Sequence, residues 1–339
     1  MKNEREQYFD VARGIVIILV VLGHVTTDQS MRDVIFSFHM PFFIIASGFF
    51  FKEGKPLKTI LSSWGKKLIL PYFLTQGLIV LYWTIVNKTD LYEAIKLFLI
   101  RSFLGLSYES KISLTTKLGY SGMELNTGVL WFIPFFCAVG IIFWGINKFS
   151  TRNHIKFLGV IIFTIIGIIL GKNGYWLIFS FDVACVSTIF IYVGYIIRKK
   201  DIIHKFQEKW FYSIALLIIW VISIQNSNLE LATRKYTESF IAFTGAVAGS
   251  LLLLILCQKS ILSKSRILQW FGRNSMLVLC AHNLEWNLVK YDFVKDQHYM
   301  VLFLCKMLII LLIVLGVKIL QRVVDWIKLL FRDKEKNIS

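Results

Sequence analysis

Ten predominantly apolar stretches follow one another along this chain, near residues 11–27, 34–51, 68–87, 129–147, 155–171, 176–197, 211–225, 239–257, 274–289 and 300–320. Roughly 20 apolar residues suffice for a helix to cross the hydrocarbon core of a bilayer. Within that core each backbone N–H and C=O must be satisfied internally, which leaves helices and closed barrels as the available structures. The expected fold is therefore all-α: a polytopic membrane helical bundle of about ten transmembrane helices. Charged residues make up 17% of the chain and hydrophobic residues 56%, whereas soluble domains carry about 25% charged residues. Soluble multidomain, disordered and collagen-like classes are thereby excluded. The first stretch follows Lys2 and Arg5 in the manner of a signal peptide, but no A-x-A site follows it and nine further apolar stretches do, so it reads as an uncleaved span.

The net charge of +17 is open to three readings: nucleic acid, anionic lipid, or cations held in cytoplasmic loops. If the N-terminus is placed in the cytoplasm and the spans alternate, 25 of the 38 Lys and Arg fall in inner segments and 11 in outer ones, with Arg13 and Lys306 inside spans. This is the positive-inside distribution. Both termini are expected in the cytoplasm, and a nucleic-acid partner is not, because the charge is spread over six separate segments. The chain reads as a single domain, 1–339, with no internal repeat. It has one long external connection at about 88–128 and a short basic cytoplasmic tail at 321–339. Residues 91–106 of the connection read as an interfacial amphipathic helix. Residues 107–128 read either as the cover of an outward-opening site or as a plain connector. The five cysteines all lie in apolar stretches without CxxC spacing and read as small buried residues. No metal site is expected.

Ionisable side chains inside a bilayer are costly and face the bundle interior, where they mark function. Asp10, Arg13 and His24 share one stripe of the first span. Arg13 and His24 are eleven residues apart, which brings them back to the same face ~16 Å along a helix, and Asp10 is placed to pair with Arg13 at i,i+3. The second span carries His39 just ahead of Pro41, at the depth of His24, and Ser47 and Gly48 suit close helix packing. Asp182 and His282 fall at similar depth in later spans, with Glu285 and Lys306 placed to snorkel or to pair with each other. Trp131 reads equally as part of an interfacial aromatic belt or of a site. At the inner face Lys66, Lys67 and Arg273 join Arg13, either as ordinary anchoring charges or as a ring that attracts phosphates. Cations at the inner mouth and His/Asp groups in the outer third suit an anionic donor entering from inside. They equally suit a proton-coupled transporter.

Tyr8-Phe9-Asp10-Val11-Ala12-Arg13-Gly14 with Leu22-Gly23-His24 resembles the start of the acyltransferase-3 family of integral membrane acyltransferases. Phe38-His39-Met40-Pro41-Phe42-Phe43 with Ser47-Gly48-Phe49 is similar to its second-span motif, in the form of the fucose 4-O-acetylase-like and polysaccharide O-acetyltransferase branch. Lys66-Lys67 before Leu70-Pro71-Tyr72, Leu130-Trp131-Phe132 and Phe181-Asp182 resemble later motifs. The resemblance implies transfer of an acetyl group from cytoplasmic acetyl-CoA to a glycan hydroxyl outside the cell, in a plasma membrane, with a bacterial source expected.

In the mechanism built on that resemblance, Arg13, Lys66, Lys67 and Arg273 hold the donor phosphates. His24 acts as general base or forms an acyl-histidine. His39 or His282 donates to the oxyanion, Asp182 orients an imidazole or the sugar, and Asp10 and Trp131 give support. The inner loop departs from many members in having Lys-Lys where they carry Arg, which loses the bidentate fork. No fused hydrolase-type domain follows the last span, so transfer within this domain or to a separate partner is expected. A small-molecule acceptor and a transporter or flippase remain the rival readings, and the acceptor sugar and oligomeric state are left open.

Overall fold

The computed structural model describes residues 7–107, 122–259, 261–294 and 296–336, and almost all of them are helical. In chain order the principal helices are α1 (Gln7–Gly23), α2 (Gln29–Phe36), α3 (His39–Phe49), α4 (Leu57–Asn87), α5 (Leu91–Leu104), α6 (Gly128–Phe149) and α7 (Asn153–Lys172). They continue with α8 (Phe181–Val186), α9 (Thr188–Lys199), α10 (Trp210–Asn226), α11 (Ser239–Lys259), α12 (Arg266–Arg273), α13 (Ser275–Leu288) and α14 (Tyr299–Lys336). The only strands among the described residues, β1 (Leu229–Glu230) and β2 (Lys235–Tyr236), form an antiparallel hairpin between α10 and α11.

Among the described residues five helices are long and apolar enough to cross a membrane: α4, α6, α7, α11 and α14. A sixth crossing arises if 178–186 and α9, bent by 54°, count as one broken span. The protein is thus an all-α membrane protein. The expected total of ten rests on the shorter α1, α3, α10 and α13, of 11 to 17 residues. Large exposed Leu and Ile side chains on α4, α7, α10 and α14 face outward (Leu78, Ile165, Ile218 and Leu308, for example), as a lipid-facing belt requires.

Two further expected spans are interrupted at particular residues. The stretch 34–51 divides into α2 and α3. Asp28 caps α2 by accepting from the backbone N–H groups of Ser30 and Met31, and the chain then breaks at Phe38, directly before His39. Pro41 sits in the first turn of α3, where its missing N–H leaves no bond unmade. Lys66 and Lys67 lie inside α4 rather than ahead of it: α4 begins at Leu57, and Gly65–Ile69 is a π-helical turn within it. The widened turn changes the angular spacing of the residues that follow. A helix is present within the expected 91–106 as α5, and the centre of that connection, 108–121, lies outside the described residues.

The bundle centres on α1, which packs most extensively against α12, while α3 packs against α9. Both contacts depend on glycine. A Cβ at Gly14 would lie 2.0 Å from the Leu268 carbonyl oxygen, and one at Gly272 would lie 1.7 Å from that of Asp10. Gly48 likewise meets the Ile191 carbonyl, so the close packing expected of Gly48 is observed. Ser47 lines a cavity instead.

Candidate active site

Two cavities open within the bundle. The first, of about 870 Å³, runs from a basic vestibule formed by Arg13, Lys52, Lys55, Lys67, Arg273 and Lys318 to His24 and His39. The second, of about 970 Å³, is lined by Trp83, Trp131 and Trp286, by Asn87, Asn126 and Asn287, and by Glu93, Glu124, Glu230 and Arg32. His24, Phe36, Val129, Trp131, Glu230 and Ala232 border both. Apart from the hairpin residues 229–232, the charged and amide groups of the first cavity come from segments assigned to the inner side. Those of the second come from segments assigned to the outer side.

α1 sets the axis of this arrangement. Asp10, 1% exposed, accepts from Arg273 Nε at 2.9 Å and pairs with Arg13 at 3.8 Å. The i,i+3 pair expected from sequence is therefore present, and a second guanidinium from α12 joins it. Arg13 also lies over the Phe50 ring, 5.1 Å from its centroid. Beyond the last residue of α1, His24 closes the helix with its backbone N–H on the Val20 carbonyl. Its imidazole meets the cavity, edge-on to Trp286 at 5.2 Å and 5.6 Å from the His282 ring.

His39 is 5% exposed and lines the first cavity. Its Nδ1 lies 2.9 Å from the Ile35 carbonyl. A carbonyl only accepts, so Nδ1 carries the hydrogen and Nε2 of the neutral ring is a bare acceptor. His282 follows the same logic. Its Nδ1 lies 2.9 Å from Glu285 Oε1, a carboxylate that also receives Lys306 Nζ at 3.1 Å on both oxygens and the Tyr291 hydroxyl. The oxyanion-donor role expected of His39 or His282 thus requires a second proton on either ring. Glu285 and Lys306 do pair, as one of the sequence readings had it.

Asp182 does not join this group. It is fully buried and held by Arg234 through Nε at 2.9 Å and Nη2 at 3.3 Å, and it also accepts from the Leu177 N–H at 3.1 Å. Arg234 in turn donates to Ser107, Ser180 and the Ala232 carbonyl and lies 3.6 Å from the Trp176 ring centroid. The pair anchors the hairpin segment whose Glu230 and Ala232 form part of the wall of both cavities. Lys66 lines neither cavity, whereas Lys67 lines the first. Trp131 is buried between the two cavities at the start of α6, whose Val129 N–H donates to Asn283 Oδ1.

Several residues of the site were not singled out from sequence. Lys52, Lys55 and Lys318 line the vestibule, and neither they nor Lys67 have a carboxylate partner among the described residues. Their signal in the sequence was only membership of inner basic segments. The loop bearing Lys52 and Lys55 is pinned at Glu53, which accepts from Lys156 and from the Tyr195 hydroxyl at 2.7 Å. These donors hold the Glu53 carboxyl below its ordinary pKa. Trp83 and Trp286 were indistinguishable in sequence from lipid-facing or interfacial aromatics.

Among the described residues no group of three or more His, Cys, Asp or Glu is arranged to hold a metal ion. Residues 6–320 match the acyltransferase-3 family model, described as an acyltransferase domain. No curated protein and no solved structure matches the chain.

Proposed function

The chain belongs to the acyltransferase-3 family, and from that premise we propose that it carries an acetyl group from cytoplasmic acetyl-CoA to a hydroxyl of a cell-surface glycan, across the plasma membrane of a bacterium. The observation that carries the reading is the position of His24 in the wall of both cavities. The vestibule offers Lys52, Lys55, Lys67 and Lys318 without carboxylate partners, which suits the multiple phosphate charges of a coenzyme A donor. Arg13 and Arg273 are already shared with Asp10, so they complete the positive mouth and fix its shape. The outer cavity offers indole faces and side-chain amides, a lining that suits a sugar ring and its hydroxyls. Tryptophan supplies apolar area with a polar edge, and the amides both donate and accept.

In this mechanism the acceptor oxygen attacks the thioester carbonyl carbon as His24 takes the hydroxyl proton. General-base assistance of this kind contributes about 10²–10⁴-fold. The C–O bond forms, the C–S bond breaks, and the proton passes from His24 to the departing thiolate. The bare Nε2 of His39 suits acceptance of a hydrogen bond from a second, non-reacting hydroxyl of the sugar. The Asp10–Arg13–Arg273 cluster supports the inner end and Trp131 the junction.

The test is radiolabelled acetyl-CoA supplied to membranes containing the full chain together with surface glycan from the source strain. Label is expected in the glycan with the wild-type chain. With His24→Ala it is expected to fall to background while the amount of protein in the membrane is unchanged. Full transfer by His24→Ala overturns the assignment, and glycan movement without acetyl-CoA supports a carrier instead.

A further inference from the structure

A second imidazole lies behind His24 with one nitrogen uncommitted. His282 is fully buried and lines neither cavity. Its Nε2 is buried and has no hydrogen-bond partner among the described residues. The carboxylate on its other side is saturated: Glu285 Oε1 and Oε2 receive Lys306 Nζ, the Tyr291 hydroxyl and His282 Nδ1–H. With three donors converging on it, Glu285 is an ionised acceptor, and this fixes the hydrogen of His282 on Nδ1. An uncommitted acceptor in a buried site is costly unless something completes it. The neighbouring ring is His24, with centroids 5.6 Å apart and planes tilted by 43°. A small ring rotation or one bridging water joins two such imidazoles. Trp286 contacts both rings, at 5.2 and 5.7 Å.

We propose that His282 is a positioning residue for the transfer: its Nε2 accepts the N–H of His24, fixes the His24 tautomer, and lets Glu285, Lys306 and Tyr291 set how readily His24 takes a proton. This deepens the reading of His24 as general base and rests on it. As the acceptor hydroxyl gives its proton to one nitrogen of His24, the N–H on the other strengthens its bond to His282 Nε2. The positive charge that develops is then shared toward the Glu285 carboxylate. When the thiolate takes the proton from His24 the chain of bonds returns to its starting state, and His282 keeps no proton over the cycle. The arrangement has the logic of a carboxylate–imidazole orienting pair, displaced one ring back from the substrate. The oxyanion-donor role expected of His282 is thereby replaced by an acceptor role.

The charged and titratable groups facing His24 are His282, His39, Arg32 and Lys306. Those facing His282 are His24, Glu285 and Lys306, and Tyr291 reaches the same carboxylate. Two substitutions act on this set in opposite directions. Glu285→Gln removes the anion, so His24 binds a proton less readily and the acid limb of the pH–rate profile moves to lower pH. Tyr291→Phe removes a donor from the carboxylate and leaves it more basic, so the acid limb moves to higher pH.

The experiment measures initial rates with the full chain in proteoliposomes, radiolabelled acetyl-CoA and source-strain glycan, across mildly acidic to mildly basic pH. His282→Gln is expected to lower kcat by about 10- to 100-fold, the range for loss of an orienting partner, with KM for acetyl-CoA unchanged. Opposite shifts of the acid limb in Glu285→Gln and Tyr291→Phe support the proposal, because a purely structural role moves neither limb in a charge-dependent direction. His282→Gln and Tyr291→Phe at wild-type rate and pH profile, with His24→Ala inactive, overturn the proposal and leave the base assignment standing. Full activity of His24→Ala overturns both. If Glu285→Gln fails to accumulate, Tyr291→Phe decides alone, since it leaves the Lys306 and His282 bonds in place.

Discussion

Two carboxylates are buried in the regions assigned to the outer half of the bundle, and they do opposite things. Asp182 is closed: Arg234 fills it, and Arg234 is itself filled by two hydroxyls, a carbonyl and an indole face. Glu285 is equally well satisfied, but its partner His282 keeps a nitrogen free beside His24. Burial and charge alone therefore do not separate a scaffold from a site. What separates them is whether the last member of the network has a valence left over next to a cavity.

The largest expected effect breaks the closed network. Arg234→Ala leaves Asp182 as an uncompensated buried charge, a change worth about 3–5 kcal/mol. Loss of accumulated protein and a lower thermal midpoint in detergent are expected, with activity per folded molecule reduced far less than in His282→Gln. A stable Arg234→Ala protein with a collapsed kcat would erase the distinction drawn between the two carboxylates.

Next in size is the vestibule, whose lysines have no carboxylate partner among the described residues where the outer networks are paired. Lys52→Ala, Lys55→Ala and Lys67→Ala combined should raise KM for acetyl-CoA about tenfold or more and flatten its salt dependence, with kcat retained, because exposed point charges act mainly on encounter and binding. Lys66→Ala, which lines neither cavity, is the control. An unchanged KM in the triple variant counts against the phosphate role.

The smallest effect concerns Glu53. Lys156 and Tyr195 hold its carboxyl below the ordinary range, so its contribution is present above the unfolded pKa and is lost as pH falls through the folded value. Glu53→Gln should leave neutral-pH activity within about a factor of two, because the carboxylate is half-exposed and lines neither cavity, and should remove the part of the acid-side loss of stability that belongs to this group. Thermal midpoints measured across the acidic range check this. A larger loss for the variant at neutral pH than at acidic pH is the expected sign.

The stripe Asp10–Arg13–His24 was legible in the sequence because helix geometry is local, and three positions on one face need no tertiary knowledge. The family resemblance drew on these residues together with the stretch around His39, and the match over residues 6–320 bears the family out. Arg273 on Asp10 was not legible as a contact, since 263 residues separate them and only the inner position of both could be inferred. The break before His39 and the π turn at Gly65–Ile69 were hidden for a different reason. The break lies in an apolar run whose hydropathy is the same whether or not the helix is regular, and the π turn lies in a mixed basic and apolar segment whose composition is equally compatible with a regular helix or a loop. Asp182 and His282 ranked together from sequence because depth was the only available criterion. Arg234, the residue that tells them apart, sits in an outer segment with no pattern of its own.

The backbone contact between α1 and α12 has a consequence for the donor. With Gly14 and Gly272 each seated on the carbonyl of the other helix, α1 has no room to slide, and the interval from Arg13 to His24 is a fixed gauge of ~16 Å. In the proposed mechanism a compact acyl phosphate held at the basic mouth would fall short of the imidazole. A long-armed carrier would bridge the interval, so that the helix would select the donor by the length of its tether.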